Sequence, residues 1–418
     1  MTERWFVLVE SNTTGSGRLF CDRARALGLV PVMLARNPDR YPYVRQDEIA
    51  SRVVDTTDVQ ALLTACAGLG GQVAGAVSSS EYFIERAARV AQALGLPHPD
   101  PGAIACCRDK HAQRARLRQG GLPGPAFQAA ASTGAAVAAA RQIGLPVVVK
   151  PVAGSGSVGV RLCADLTEVA AAASHVLDSD PAALGLPHQA SVLVEQVLDG
   201  PEYSAEVVGG QLVGLARKWL GPRPYFVETG HDFPAPLTPA EQALIGGAAM
   251  AGLDAVGLNS GAAHVELRHT PAGPAIVEIN PRLAGGMIPR VVQEATGIDM
   301  IHQVVAQAAG VADQPAPSRS GAASIRFLTA TAAGRLEAVT GLEAARQLPG
   351  VVEVGVTREI GTPVEVRHAF TDRIGYVIAA AADGPEAARA AEAGLAALHA
   401  QISPADAGHD RTPAQAAH

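Results

Sequence analysis

AHVEL at residues 263–267 and IVEINPR at residues 276–282 are two strand-like segments that each carry one acid among apolar residues. If the turn lies midway between the acids, Glu266 and Glu278 face each other across a hairpin. Asn280 then lies on the same face, because side chains alternate along a strand. Two carboxylates about 5 Å apart repel by about 3 kcal/mol at an effective dielectric of about 20. An apolar sheet rarely tolerates such a pair without a cation, and oxygen ligands favour Mg²⁺ over Zn²⁺. The hairpin therefore predicts a magnesium site; the alternative is two acids on a solvated face.

The composition of the 418-residue chain indicates a globular protein with several subdomains. Hydrophobic residues make up 48% of the sequence and charged residues 17%, which argues against a disordered chain. The net charge of −7, without a basic cluster, argues against nucleic acid as a partner. Five cysteines without a CxxC pair favour reduced thiols in a cytoplasmic protein and no zinc site. The N-terminal apolar run is too short for a signal peptide or a membrane span.

The first 105 residues alternate strand-like and helix-like segments. Strands are predicted at 6–9, 30–34 and 73–77, and helices at 17–27, 59–66 and 82–94. Such alternation predicts an α/β domain with a parallel, doubly wound sheet. After the first strand, Gly15 and Gly17 match the start of a dinucleotide-binding fingerprint, but Phe20 occupies the position of the third glycine. We therefore expect a loop that borders a ligand site and disfavour NAD binding.

Two further blocks follow along the chain. The second spans 106–315 and contains the hairpin, strand-like segments at 147–150 and 191–195, and a helix near 300–309. The segment 315–321, rich in Pro and Ser, is typical of a linker. Residues 322–402 predict a small α+β subdomain with strands near 324–329, 351–357 and 374–380 and a helix at 385–400. The polar tail 403–418 is predicted to be disordered.

A lysine followed by a glycine-rich loop lies in the second block, KPVAGSGSVGV at residues 150–160. Backbone N–H groups of such a loop can surround a polyphosphate, and glycine permits an approach that a Cβ would block. The segment is not a Walker A motif, because no Gly-Lys-Ser/Thr closes it. A flexible hairpin turn is the alternative. Lys110, at the start of a helical segment, would by itself be assigned to the solvated surface.

Two acids seven residues apart, Glu195 and Glu202, flank a turn in VEQVLDGPEYS at residues 194–204. Such acids can accept hydrogen bonds from an adenine amine or from ribose hydroxyls, while the backbone at Leu198 can pair with the adenine edge. Exposed acids that merely flank a turn are an equally ordinary explanation. Each of these motifs is weak alone.

Taken in order, the motifs resemble the ATP-grasp superfamily: two lysines, a glycine loop, Glu-x₆-Glu, and Glu…Glu-x-Asn-x-Arg. The resemblance covers essentially residues 1–400 and is most specific between Lys110 and Arg290. It implies a Rossmann-like N-terminal domain (1–105), an ATP-grasp domain (106–315) that clamps ATP and Mg²⁺, with Mn²⁺ as a substitute, and a small C-terminal subdomain (322–402). By this resemblance Lys110 and Lys150 contact the ATP phosphates. The remaining ATP-site residues are the lid at 154–159 (Gly154, Ser155, Gly156, Ser157), the adenine contacts Glu195 and Leu198, and the ribose contact Glu202. Glu266, Glu278 and Asn280 would hold the metal.

Two further stretches are similar to the bacterial L-amino-acid ligases, FVETGH at 226–231 and RLAGGMIP at 282–289. The similarity implies that Glu228 and His231 help to bind amino-acid substrates and that Arg282 faces the transferring phosphate. Gly285, Gly286, Met287 and Arg290 complete the predicted substrate site. Some such ligases carry a bulky aromatic residue near position 286. The glycine pair here leaves that wall open, which predicts a carboxylate substrate larger than alanine.

These expectations describe an ATP-dependent carboxylate–amine ligase. It would activate one amino acid as an acyl phosphate, join it to an amine, and release ADP and phosphate; a homodimer is compatible with this function. His231 and a substrate carboxylate remain candidates for the base. One alternative is a carboxylase or purine-pathway ligase that uses bicarbonate or a nucleotide precursor. A non-catalytic ATP-binding regulatory protein is another, which the apparent presence of every metal ligand and of Arg282 disfavours.

Overall fold

The computed structural model describes residues 3–12, 16–154, 156–179, 191–312 and 316–404. The first 100 residues contain a parallel sheet in the order β3-β2-β1-β4. Its strands are β1 (Arg4–Val9), β2 (Val30–Ala35), β3 (Ala50–Val53) and β4 (Gln72–Val77). The predicted strands at β1, β2 and β4 are confirmed. β3 was not predicted, because this edge strand is short and largely exposed and so lacks the apolar run of a buried strand.

Helices connect and cover these strands. They are α1 (Ser16–Ala26), α2 (Pro42–Gln46), α3 (Val59–Ala67) and α4 (Ile84–Ala93), and α5 (Pro101–Arg108) and α6 (Lys110–Gln119) lead into the next block. The side chain of Asp109 accepts a hydrogen bond from the backbone N–H of Ala112 and thereby caps α6. Lys110 is thus the first residue of a helix, and it is buried rather than solvated.

A second, antiparallel sheet has the order β5-β8-β6-β7. Its strands are β5 (Phe127–Ala130), β6 (Val147–Pro151), β7 (Arg161–Cys163) and β8 (Val192–Gln196). The alanine-rich helices α7 (Thr133–Ile143) and α8 (Leu166–Leu177) pack on its valines. Because side chains alternate along a strand, Lys150 and Glu195 point to the opposite face, away from this core.

The largest sheet has eight strands in the described residues, in the order β13-β12-β9-β10-β11-β14-β18-β16. The strands that precede residue 310 are β9 (Glu202–Val208), β10 (Gln211–Leu220), β11 (Glu228–Phe233), β12 (Ala262–Thr270) and β13 (Gly273–Asn280). Helices α9 (Pro239–Val256), α10 (Ile288–Thr296) and α11 (Met300–Ala308) accompany them. The register pairs Glu266 with Glu278, as the sequence predicts.

The C-terminal strands β14 (Ala322–Thr329), β16 (Val351–Val356) and β18 (Arg373–Ala381) continue this sheet and do not form one of their own. A separate small sheet pairs β15 (Gly334–Thr340) with β17 (Pro363–Val364) and β19 (His399–Ser403). The helices here are α12 (Leu342–Arg346) and α13 (Gly384–Ala397). The helix predicted to reach residue 400 ends earlier because the chain enters β19. Residues 405–418 of the predicted disordered tail lie outside the described residues.

Neither the helices nor the cysteines add a further constraint on the class of protein. In the described part of the chain, none of the helices is long and apolar enough to cross a lipid bilayer. All five cysteines are unpaired thiols.

Candidate functional site

A row of charged side chains crosses the eight-stranded sheet and lines a cavity of about 290 Å³, here called the inner cavity. The strands β9 to β13 contribute its acids and one lysine, and the second sheet and α6 close it from the other side. The charged residues of the row are Glu202, Lys218, Glu228, Glu266 and Glu278. Apart from Asn280, and from Ser155, which is not among the described residues, the predicted ATP and metal residues therefore meet at this cavity, although Lys110 and Glu278 lie 168 positions apart in the chain.

Lys218 is the centre of this row, and the sequence analysis missed it. It is 2% exposed, and its Nζ lies 3.2, 2.8 and 3.0 Å from carboxylate oxygens of Glu202, Glu228 and Glu266. Burial by itself would lower the pKa of Lys218, but the three acids raise it well above its usual value. The amine is therefore charged, and it compensates the acids that surround it.

The two acids of the hairpin are held by separate cations. Lys110 Nζ lies 2.8 Å from Glu278, and Glu266 lies 3.1 Å from His264 Nε2 in addition to Lys218. The other ring nitrogen of His264 lies 2.8 Å from Glu206 on the neighbouring strand. Burial opposes charge on this ring, but the two acids raise the pKa of His264 to about 9. Each hairpin carboxylate is thus paired with a cationic side chain next to the cavity.

The residues of the hairpin suit a hard cation. Within the described ranges, no group of three or more His, Cys, Asp or Glu side chains is arranged to hold a metal. The donors present are two carboxylates that face each other in register and the amide of Asn280, which is buried two residues beyond Glu278 on the same face. Oxygen donors of this kind fit Mg²⁺ and do not fit Zn²⁺.

Glu195 is tied to two buried cations. Arg114 and Lys150 both pair with its carboxylate, and Arg114 also donates to the backbone carbonyls of Ile276 and Val277. Burial would raise the pKa of Glu195, but the two cations lower it to about 2. Both oxygens of Glu195 are engaged, so the geometry favours a role in holding Lys150 over the predicted direct contact with adenine.

Arg268 forms hydrogen bonds with the two remaining predicted ATP-site residues, Glu202 and Leu198. Its Nε and Nη2 donate to Glu202 Oε2 at 3.0 and 2.8 Å, and its Nη1 donates to the carbonyl oxygen of Leu198 at 3.2 Å. Glu202 and Leu198 both line the inner cavity, as predicted. Arg268 was missed because its partners are distant in sequence.

The glycine loop covers one end of the inner cavity. Lys110 Nζ donates to the Gly154 carbonyl at 2.6 Å, and the Ser157 hydroxyl donates to the Phe226 carbonyl at 3.0 Å. Gly156 has φ +65°, and a Cβ there would lie 2.2 Å from the ring of Phe370. A side chain at 156 would therefore clash with the C-terminal segment. Ser155 lies outside the described residues.

Arg282 lies between the inner cavity and a larger cleft of about 1800 Å³, here called the outer cleft, which reaches the carboxyl ends of β1 and β4. Its Nε and Nη2 both lie 2.8 Å from Glu81, and its Nη1 donates to the Leu283 carbonyl at 3.1 Å. Burial would lower the pKa of Arg282, but Glu81 raises it. Glu81, from the N-terminal block, thus fixes the arginine, and no local sequence signal identifies it.

His231 and the glycine pair adjoin the inner cavity. His231 is fully buried, and within the described chain neither ring nitrogen has a hydrogen-bond partner. Burial lowers the pKa of His231 to about 3, although Glu228 acts in the opposite direction. The neutral ring is a weak proton acceptor, which disfavours it as the base.

Of the glycine pair that is predicted to leave a wall open, Gly285 is the residue with open space beside it. Gly286 has φ +57°, and a Cβ there would lie 2.6 Å from His231 Nε2, whereas a Cβ at Gly285 meets no atom within 4 Å. The side chain at 286 is excluded by backbone conformation and by the histidine. Gly285 lines both cavities.

Two predicted substrate residues lie elsewhere. Arg290 lines neither cavity and pairs with Glu353, at 2.8 Å, and with Glu294. Met287 precedes α10 with φ +58° and packs against the core between that helix and the sheet. Arg290 is close to the glycine pair in sequence, but its position on α10 directs its side chain to β16.

Comparisons with known proteins identify the domains of this chain. A family model described as "ATP-grasp domain" matches residues 143–290, and one described as "L-amino acid ligase C-terminal domain 2" matches residues 326–403. The protein y4rH of Sinorhizobium fredii is 36% identical over 407 residues, which cover 97% of this chain and 84% of that protein. Carnosine synthase 1 of Homo sapiens is 32% identical over 241 residues, 54% of this chain but 29% of that enzyme.

Among solved structures, an L-amino acid ligase from Bacillus licheniformis superimposes with a TM-score of 0.78. The match covers 96% of this chain and all of that chain at 21% identity, and so supports the fold. The chain belongs to the ATP-grasp superfamily, among the ATP-dependent carboxylate–amine ligases that resemble the L-amino acid ligases.

Proposed function

We propose that this protein joins two amino acids into a dipeptide through an acyl phosphate, at the expense of ATP. The observation that carries the proposal is the convergence of Lys110, Lys150, Glu266 and Glu278 on the inner cavity, beside Arg282 and the open position Gly285. A phosphate donor and a carboxylate substrate can meet at this junction. The relatives support amino-acid substrates by their names, which include an alanine–anticapsin ligase of Bacillus amyloliquefaciens.

The inner cavity would take ATP. Lys110, Lys150 and the loop 154–159 would contact the phosphates, with Leu198 at the adenine and Glu202 at the ribose. Glu266, Glu278 and Asn280 would hold Mg²⁺, whose charge would be shared with the phosphates. Lys218 compensates three acids, and it would offer its charge to an incoming phosphate.

In the first step a carboxylate oxygen of one substrate attacks the γ-phosphorus, and the bond to the β-phosphate oxygen breaks to release ADP. In the second step the amine nitrogen attacks the acyl carbon, the bond from that carbon to the phosphate oxygen breaks, and the proton lost by the nitrogen leaves with the departing phosphate. Arg282 suits the stabilisation of the transferring phosphate and of the tetrahedral oxyanion, because its donors form a planar fork. Glu81 would keep that fork in place. Closure of the glycine loop would exclude water from the acyl phosphate.

The proposal extends to the domain organisation. Residues 1–105 would form a Rossmann-like N-terminal domain, 106–315 the ATP-grasp domain and 322–402 the C-terminal subdomain. The parallel order β3-β2-β1-β4 supports the first of these, and the outer cleft at its carboxyl edge is where such sheets bind ligands. The amino-acid substrates would enter through this cleft and reach the inner cavity at Arg282 and Gly285, which line both.

The direct test is phosphate release with ATP and Mg²⁺ against a pairwise panel of amino acids, with mass detection of the products. We expect ADP, phosphate and a dipeptide in equal amounts. Turnover with bicarbonate and no amino acid would overturn the proposal in favour of a carboxylase. Formation of AMP and pyrophosphate would exclude the acyl-phosphate route.

Replacing Gly285 with Trp is expected to restrict the acyl donor to small amino acids. The indole would occupy the open space at the junction, so kcat/KM for large donors should fall about 10- to 100-fold while alanine or glycine is retained. Relative kcat/KM values across the panel measure the effect. Gly124→Trp, at an exposed and open position, is the matched control. An unchanged donor profile in the Gly285 variant would show that this position does not shape the donor pocket.

A further inference from the structure

Arg373 is an arginine of the inner cavity that the proposed mechanism does not use. It is the first residue of β18, and its side chain is 11% exposed. The guanidinium carbon lies 3.8 Å from the centre of the Phe327 ring. Stacking on an aromatic ring fixes the plane of the guanidinium and leaves its edges for hydrogen bonds.

The hydrogen bonding of Arg373 is incomplete. Its Nη2 donates to the side chain and the backbone carbonyl of Glu228, at 2.7 and 3.3 Å. In the described part of the chain its Nε is buried without a hydrogen-bond partner, and Nη1 makes no hydrogen bond either. Arg114 and Arg282, by contrast, use all three guanidinium nitrogens. Unpaired donors next to a cavity are costly, so Nη1 of Arg373 calls for an acceptor.

Nη1 of Arg373 faces the glycine pair at the wall of the inner cavity. Nη1 of Arg373 lies 3.5 Å from the place where a Cβ of Gly286 would be, and His231 Nε2 lies 2.6 Å from the same place. Two unpaired polar groups, one cationic and one neutral, thus flank a position without a side chain. A cationic N–H donor of this kind, next to the neutral ring of His231, suits a carboxylate oxygen.

Two carboxylates are present in the proposed reaction, and only one of them reacts. The reacting carboxylate must lie near Lys110, Lys150 and Arg282. Arg373 lies on the far side of Glu228, whose other oxygen contacts Lys218 at 2.8 Å, and β18 is separated from β12 by four strands. Its position therefore matches the carboxylate that remains free in the product.

We propose that Arg373 binds the free carboxylate of the amine substrate, so that the enzyme selects an amino acid over a simple amine. This inference rests on the proposed function. Arg373 would act as a specificity-determining residue and would not take part in the activation of the acyl donor.

The test uses the full-length enzyme, one fixed acyl donor, and L-alanine, L-leucine and L-phenylalanine as amines, each compared with its α-carboxamide. The wild type should favour the free acids by about 10- to 100-fold in kcat/KM. In Arg373→Gln that preference should vanish. The kcat/KM for the free acids should fall, whereas the kcat/KM for the amides should change by less than about threefold. Arg373→Lys keeps the charge next to Glu228 and should retain part of the preference. Arg346→Gln, an exposed arginine of the same subdomain, is the control.

Hydroxylamine trapping of the activated donor separates this proposal from the proposed function. If the wild type forms neither ADP nor hydroxamate, the ligase mechanism itself fails. If hydroxamate forms but acids and amides serve equally well, the role of Arg373 alone is refuted. If Arg373→Gln lowers hydroxamate formation, the arginine serves the acyl donor or the phosphates, which also overturns the inference. Hydroxamate formation unchanged in Arg373→Gln, with loss of the acid preference, is the expected result.

Discussion

Replacing Glu278 with Gln is expected to lower the rate of ligation by at least about 10²- to 10³-fold. The amide keeps the shape of the side chain but removes the charge that faces Glu266 across the hairpin. Lys110, which pairs with Glu278 at 2.8 Å, loses its anchor in the same change. Phosphate release at saturating ATP measures the rate, and Mn²⁺ binding followed by electron paramagnetic resonance measures the metal site independently.

The control for Glu278 is Glu343→Gln, which changes an acid that is 74% exposed on α12. This variant should retain the wild-type rate and the wild-type Mn²⁺ affinity. A Glu278 variant with near-normal turnover would show that the hairpin is not the metal site. Unchanged Mn²⁺ affinity with lost turnover would assign Glu278 to the positioning of Lys110 instead.

Replacing Lys218 with Met is expected to destabilise the fold by about 3 kcal/mol at neutral pH, because the variant leaves buried carboxylates with one cation fewer. Glu202, Glu228 and Glu266 each keep one other cationic partner, which limits the loss. The urea midpoint of unfolding, compared with the wild type at pH 7.5, measures it. Lys218→Arg should recover part of the stability because it restores the charge.

The stability that Lys218→Met loses relative to the wild type should become smaller in acid. Burial would raise the pKa of Glu228 and of Glu266, but Lys218 and the other cations lower both in the wild type. A carboxyl group with a lowered pKa stabilises the folded state above its unfolded pKa of about 4.3, and that stability is lost as the pH falls. The difference between Lys218→Met and the wild type should therefore be full at pH 7.5, stay close to that value down to about pH 5, and shrink as the pH falls below about 4. A difference that grows on acidification would show that Lys218 does not act through these acids.

The parts of the site that the sequence predicted are local. Glu266 faces Glu278 because the alternation of a hairpin and the position of its turn fix the register over a dozen residues. The lysine and glycine loop at β6 were recognisable for the same reason. The geometry of these segments is set by residues that are close in sequence. The resemblance to a family then indicated that the segments serve one function.

The parts that the sequence could not give depend on contacts between distant segments. In the sequence, Lys218 is a single charged residue in a half-buried strand. Only the assembled sheet places three acids around it. Glu81 meets Arg282 across about 200 positions of the chain. Arg290 shows the opposite case. It is close to the glycine pair in sequence, but its position on α10 directs its side chain to Glu353 and away from the cavity.

The continuation of the central sheet by β14, β18 and β16 restricts how this protein can be cut or recombined. A chain that ended near residue 320 would leave β11 as an open edge, with unpaired backbone groups that attract other chains. It would also lose the partner of Glu228 that β18 supplies. The C-terminal segment is therefore not a detachable module: exchange of this segment between relatives must preserve strand pairing along β11 and the charge next to Glu228 together.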